Sequence, residues 1–279
     1  MLKKYDVTIK LNTEITHETM ESITDVDKWI IAAGVDPRNP HIPGQDHPNV
    51  LTYIDVLKRK VPVGKRVAVI GAGGIGFDVS EYLLHYDGKD KKSNEVSKED
   101  FYSEWGIDPT LKARGGLVPQ QRHPVTERLI YLLQRKTTKL GAGLGKTTGW
   151  IHRATLNHSG AVEMIKGVKY DKIDENGYLH ITAEDGQKTV LEVDNIVICA
   201  GQTEHNELEE EATDDLKDKV YTIGGAYKAG ELDAKRAIDM GTRLALKIHD
   251  PTVVPGKHVF ASKPGIEEDM FQMLKRFMK

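Results

Sequence analysis

Cysteine is almost missing from this sequence: one residue, Cys199, in 279. No intrachain disulfide can form, and a four-cysteine iron–sulfur or zinc site cannot be built from it. Cys199 lies in the apolar run Ile196-Val197-Ile198-Cys199, which makes it an inert core thiol with no redox partner. Long apolar runs are missing too, since none approaches the roughly 18 residues of a membrane span. The opening Met1-Leu2-Lys3-Lys4-Tyr5-Asp6 has no apolar stretch of the kind a secretion signal needs. Charge of one sign does not dominate: 39 Lys and Arg stand against 42 Asp and Glu, a formal charge of −3. That leaves no electrostatic case for nucleic acid or an anionic membrane as partner, and a cytoplasmic location is expected. With 39% hydrophobic residues, the chain has enough apolar mass for a core.

Glycine is present where it counts. Val67 to Ile70 reads as a buried parallel strand that runs into Gly71-Ala72-Gly73-Gly74-Ile75-Gly76. Ile75, Val79 and Leu83 then recur at helical spacing. Strand, glycine turn and helix in this order predict a dinucleotide site. Gly71 allows the tight turn, Gly73 admits a pyrophosphate, and Gly76 lets the helix approach the strand. The phosphates would sit on the free N–H groups at the helix start.

Around this motif the chain reads as alternating elements. Residues 7–15 alternate as a strand, and Asp27 to Gly34 forms another that ends in small residues. Val35 to Pro48, with four prolines, is an irregular crossover, and Val50 to Lys60 a short helix. Polar residues 87–100 read as a surface loop within an interrupting segment, 87–125. Residues 126–136 resume as the second strand of the βαβ unit. That strand ends Gln134-Arg135-Lys136, where an NAD-selective fold carries an acid. Two cations suit a 2′-phosphate and predict NADPH; a plain solvated strand end is the alternative. Gly141 to Gly149 is not a triphosphate loop, because Leu140 stands where that pattern needs glycine. It reads instead as a glycine-rich loop beside the cofactor cleft.

Trp150 to His158 reads as a helix, with His152 and His158 ordinary histidines rather than metal ligands, and no metal site is expected. Short strands follow over 162–195, with hairpin signals at Asn176-Gly177 and Asp185-Gly186. Asn195 to Gly201 is a buried strand whose Ala200-Gly201 ending echoes Ala33-Gly34. Glu204 to Asp218 carries eight acids in fifteen residues, a solvated loop or helix. Val220 to Gly225 is a strand ending in glycines, Glu231 to Ile248 an amphipathic helix, and Glu267 to Lys279 a short docked or frayed helix.

Several of these stretches together resemble the C-terminal part of bacterial NADPH-dependent 2,4-dienoyl-CoA reductases: Val67–Gly76, Leu133–Lys136, Gly143–Arg153, Asp194–Gln202 and Glu231–Ile238. Glu104-Trp105-Gly106-Ile107-Asp108 adds to the likeness. The resemblance implies hydride transfer from NADPH to FAD, then electrons through an iron–sulfur cluster to FMN, and reduction of a dienoyl thioester in unsaturated fatty acid β-oxidation. It implies that Gly71, Gly73, Gly74 and Gly76 hold the NADPH pyrophosphate and that Arg135 and Lys136 meet its 2′-phosphate. It further implies that Ala33, Gly34, Gly225 and Ala226 line FAD, with Gly201 among the cofactor-binding residues. No catalytic side chain is identified.

The fold expected is a doubly wound, Rossmann-like α/β sheet. The NADPH domain (61–195) would be inserted in a partial FAD domain (1–60 and 196–250), followed by a tail (251–279). The FMN barrel and the cluster cysteines have no counterpart here, and no second glycine fingerprint precedes Val7. The expectation is therefore a truncated chain, a fragmentary gene product or one piece of a split enzyme. Its FAD site would be incomplete, a flavin-barrel and iron–sulfur subunit or domain would be its partner, and it would reduce no dienoyl-CoA alone. The alternative is a module that binds NADPH without chemistry.

Overall fold

The computed structural model describes residues 2–85, 97–118, 126–230, 232–250 and 253. In chain order these form α1 (His17–Ser22), β1 (Trp29–Ile31), β2 (Val35–Pro37), β3 (Val50–Thr52), α2 (Tyr53–Leu57), β4 (Arg66–Ile70), α3 (Gly74–His85), α4 (Lys98–Trp105), β5 (Leu129–Leu133), α5 (Gly149–His158) and β6 (Val162–Ile165). Then come β7 (Lys169–Ile173), β8 (Leu179–Thr182), β9 (Lys188–Leu191), β10 (Asn195–Ile198), β11 (Gln202–Glu204), α6 (Glu207–Glu210), α7 (Asp214–Lys217), β12 (Val220–Thr222), α8 (Gly224–Tyr227) and α9 (Ala234–Lys247). Among the described residues, no helix is long and apolar enough to cross a membrane.

The chain divides into two compact units, residues 37–201 and residues 1–36 with 202 onward. The expected borders at 60/61 and 195/196 both move outward. The reason is pairing: β3 and β10 are neighbouring strands of one sheet, so residues 37–60 and 196–201 fold with the glycine motif. Val50–Lys60 is accordingly not all helix. Thr52 caps α2 reciprocally with Asp55, and the three residues up to that cap are strand.

The larger unit is built on a parallel sheet in the order β3-β10-β4-β5-β6. The chain leaves β4 through α3 and returns as β5 on one side, and only much later as β10 on the other. This reversal places a crevice at the C-terminal ends of β4 and β10. Both sheet faces are buried, so the strands read as continuous apolar runs. Val67, Val69, Ile130, Leu132 and Val197 pack against Phe77, Leu83 and Leu156 of the helices. Ala68, Ile70, Leu133, Ile196 and Ile198 pack on the other face against Val168, Ile173, Leu179 and Ile181, contributed by the antiparallel β7-β8-β9 meander and the residue before it. The hairpin signals at 176–177 and 185–186 are the turns of that meander.

Arg128 fastens the lower rim by donating to the carbonyls of Val63, Gly64 and Leu83. In the interrupting segment, residues 98–100 already belong to α4, which Ser97 caps. Residues 87–96 of the expected loop lie outside the described residues. Beyond α4, the buried Asp108 carboxylate accepts from the Thr110 hydroxyl and from the amides of Thr110 and Ala113. These bonds, the Thr110 hydroxyl first, hold its pKa down to about 2.

The smaller unit has a parallel pair, β1 beside β12, over a small core of Met20, Ile31, Ala212, Leu216, Val220 and Ala226. Residues 7–15 are not a strand: Asp6 and Asn12 take left-handed φ of 55° and 52°, and no strand pairs with the run among the described residues. The acidic stretch forms the short helices α6 and α7, and the last helix begins at Ala234 behind an Asp233 cap. The expected helix at 267–279 lies outside the described residues.

Leu132, fully buried on the interior strand β5, tests the core. Leu132→Ala should lower unfolding free energy by about 2–5 kcal/mol in a denaturant titration. Asp108 gives a pH test. Its folded pKa lies below the usual 3.8, so its contribution is present above that value and is lost as pH falls toward 2. The protection of the Ala113 amide, as the ratio of its intrinsic to its observed exchange rate, should fall over that window, and Asp108→Asn should remove the pH dependence.

Candidate functional site

The crevice is formed by two backbone segments, the turn after β4 and the end of β10. Gly71 has φ 111°, a conformation that L side chains rarely adopt, and a Cβ there would stand 2.2 Å from the Cys199 carbonyl oxygen. Its amide donates to the Leu133 carbonyl, and the Cys199 amide donates to Ile70, so the turn is pinned from both neighbouring strands. Gly76 is required for a different reason: a Cβ would lie 1.8 Å from the Gly71 carbonyl oxygen, because α3 rests directly on the turn. Gly73 and Gly74 are the opposite case. No atom stands within 4 Å of a Cβ built at either. The turn is closed where the fold needs contact and open where a ligand would approach. The first N–H groups of the 12-residue α3 have no intrahelical acceptor and carry the positive end of its dipole.

The register Ile70↔Leu133 brings the end of β5 beside the turn. Arg135 and Lys136 follow it with exposed side chains. Their backbone is fixed, since Gln134 donates from its side chain to the Lys136 carbonyl and Gly167 donates to the same oxygen. The glycine-rich loop also docks here. Gly141 donates to the Ala72 carbonyl and packs against Phe77, and Arg153 donates to the Gly141 carbonyl. Glu81 of α3 and His152 of α5 meet at 2.8 Å, giving that histidine a partner the sequence did not reveal.

Arg38 was missed by sequence reasoning. Its guanidinium donates to the Ala200 carbonyl, lies against Gly201, and its amide donates to the Gly201 carbonyl. Residues 38 and 200 are far apart in sequence, and only a lone arginine within the proline-rich crossover could have hinted at it. Gly201 (φ 103°) thus has a backbone reason to be glycine. Cys199 is buried; that burial, with Asp78 nearby, pushes its thiol far above the usual range.

In the smaller unit Ala33 and Gly34 follow β1, and Gly225 and Ala226 open α8 after β12. Gly34 (φ 88°) faces open space, while a Cβ on Gly225 would lie 2.8 Å from Val35 Cγ1. Gly225 is therefore small because the two strand ends touch. α8 has only four residues, and among the described residues this unit contains no strand, GxGxxG turn and helix. Among the described residues, the strand, glycine turn and helix lie in the larger unit. No group of three or more His, Cys, Asp or Glu placed to hold a metal occurs among the described residues.

Residues 2–221 match the family model described as pyridine nucleotide-disulphide oxidoreductase. The chain belongs to this family. It is thus an FAD- and NAD(P)-binding type of oxidoreductase fold. Among curated relatives it is 25% identical over 221 residues to a metal reductase of Desulforamulus reducens, covering 72% of this chain and 28% of that protein. It is 24% identical over 184 residues to a mercuric reductase of Staphylococcus aureus, covering 64% and 25%. The chain thus spans about a quarter of the length of the curated relatives it matches. Similar solved structures include 2-naphthoyl-CoA reductase with its 2-naphthoyl-CoA (TM-score 0.63, 22% identity, 86% of this chain and 29% of that one). Histamine dehydrogenase of Rhizobium sp. 4-9 (TM-score 0.59, 16% identity, 86% and 33%) and thioredoxin reductase of T. acidophilum (TM-score 0.54, 12% identity, 79% and 64%) share the fold as well. Despite the family's name, this sequence has no second cysteine with which Cys199 could form an internal disulfide.

The two kinds of glycine should separate in one experiment. Gly71→Ala should lower the unfolding free energy by at least about 1–3 kcal/mol through backbone strain and the Cys199 contact. Gly73→Ala should leave it within about 1 kcal/mol, measured by urea denaturation.

Proposed function

We propose that the chain is the nucleotide-receiving part of an NADPH-dependent flavin oxidoreductase in which hydride passes from NADPH to FAD. The observation that carries this reading is the open glycine turn lying one strand away from two exposed cations, Arg135 and Lys136. Gly73 and Gly74 leave room for a pyrophosphate, and the start of α3 favours its charge. Arg135 and Lys136 occupy the position where an acid would instead suit a ribose 2′-hydroxyl. From residue 129 to 162 the sequence has five Lys or Arg and no Asp or Glu, so nothing there repels a phosphorylated ribose. When bound, the nicotinamide supplies a hydride. The protein's part is to hold the phosphates at the turn and, through Arg38, to fix the end of β10 that borders the crevice.

The finer reading is a 2,4-dienoyl-CoA reductase-like module serving unsaturated fatty acid β-oxidation. It is supported by the resemblance carried by Gly143–Arg153 and Glu231–Ile238, and by a fold shared with a reductase of an aromatic acyl-CoA. An FMN barrel and an iron–sulfur segment would then belong to a partner domain or subunit. A second reading, a module that holds NADPH without reducing anything, is favoured by the incomplete flavin cradle among the described residues.

Calorimetric titration with NADPH and NADH tests the first part. NADPH should bind more tightly, and the Arg135→Ala/Lys136→Ala variant should lose about 1.5–3 kcal/mol for NADPH while NADH binding stays unchanged. Equal affinities for the two nucleotides would overturn the assignment. Flavin absorbance in the purified protein separates the two readings, since retained FAD favours the reductase.

A further inference from the structure

The strand order of the larger unit gives the crevice two sides, with β5 on one flank of β4 and β10 on the other. Arg135 and Lys136 stand on the β5 side, where the phosphorylated adenosine half belongs in the reading above. A diphosphate at Gly73 and Gly74 then sends the other half of the dinucleotide, the nicotinamide, toward the end of β10. Arg38 stands on that side. Its Nη2, Cζ and Nε lie 3.4 to 3.5 Å from the point where a Cβ of Gly201 would stand, so the guanidinium lies over a residue that has no side chain. Ala200, whose carbonyl accepts from that guanidinium, has its Cα 3.1 Å from the corresponding point at Gly71. The charge is therefore held beside the turn instead of swinging through solvent. Among the described residues no carboxylate forms an ion pair with Arg38, and its side chain is exposed. An opposite charge faces the same strand end from α3, where the exposed Asp78 acts on the Cys199 thiol.

We propose that Arg38 weights the crevice toward the reduced nucleotide over the oxidised one. The inference rests on the nucleotide reading above and adds a redox-state preference to it. The two forms differ at the ring, since the oxidised nicotinamide carries a positive charge that the reduced ring lacks. Their phosphates are the same, so any attraction between Arg38 and those phosphates cancels in the comparison. What remains is repulsion between guanidinium and pyridinium, felt by the oxidised form alone. At a separation of about 8–10 Å, with partial screening by water, one unit charge shifts another's equilibrium about three- to tenfold. Asp78 acts with the opposite sign. Arg38 thus helps the crevice keep the hydride donor and release the spent nucleotide.

Calorimetric titration of the whole chain with NADPH and with NADP⁺ tests this, and the quantity read is the ratio of the two dissociation constants. Arg38→Gln keeps an N–H donor for the Ala200 carbonyl and removes the charge, so it should reduce the preference for NADPH about three- to tenfold. Arg38→Lys, which keeps the charge, should retain the preference, and Asp78→Asn should enlarge it. The ratio for NADH and NAD⁺ should move in step, because the 2′-phosphate plays no part in it. Thermal melting followed by circular dichroism should be the same for all the variants. Equal weakening of both redox forms in Arg38→Gln would show that the residue only holds the end of β10, and would overturn the proposal. An unchanged ratio, or a preference that also falls in Asp78→Asn, would overturn it too. An unmodified chain that binds none of these nucleotides would overturn the nucleotide reading itself, and the proposal with it.

Discussion

Helix α3 can lie on the turn after β4 only because residue 76 has no side chain. A Cβ there would sit 1.8 Å from the Gly71 carbonyl oxygen. This contact fixes the direction of α3, and α3 in turn places Phe77, Val79 and Leu83 over the sheet. The same contact aims the helix start at the mouth of the crevice, beside Gly73 and Gly74. Packing and ligand access therefore follow from one constraint. Gly71 adds the second half of it, since its left-handed φ and its closeness to the Cys199 carbonyl lock β4 to β10 at the point where the strand order reverses.

The two units meet the cost of chain ordering differently. The larger one covers both faces of a five-stranded sheet, helices on one side and a meander on the other, and its strands reach zero exposure at Val67, Ala68, Val69 and Ile70. The smaller one relies on a six-residue cluster beneath a two-stranded parallel pair. Parallel strands are ordinarily buried on both faces, yet Ile30 in β1 is 48% exposed, as are Ile238 and Leu246 of α9 at 67% and 80%. Among the described residues, the smaller unit thus shows more exposed apolar side chains, Val7, Ile9 and Leu11 included.

The legible parts of the sequence were those set by local pattern. The run Val67–Ile70, its glycines and the following helical spacing specify their own geometry, and they appear as β4, the turn and α3. The Asn176-Gly177 and Asp185-Gly186 turns likewise carry their own hairpin chemistry. The misread segments depend on distant partners. Residues 7–15 alternate as a strand does, but a strand also needs a neighbour, and alternation says nothing about one. Val50–Lys60 changes from strand to helix at Thr52 because β10, far along the chain, pairs with its first three residues. Arg38 was invisible for the same reason, because its acceptor at Ala200 comes close only through the fold.

Cys199 serves the fold through its backbone rather than through its thiol. The family is named for disulphides, and thiol exchange needs an accessible thiolate with a second sulfur within reach. Cys199 offers neither: its thiol is buried, its ionisation is opposed by desolvation, and no other cysteine exists in the sequence. Its backbone is nonetheless at the centre of the crevice, where its amide binds Ile70 and its carbonyl faces Gly71. What matters at this position is thus a small apolar side chain at the ends of the paired strands β4 and β10. The crevice itself is lined by the backbone of the glycine turn and the end of β10, with the exposed Arg135 and Lys136 beyond β5.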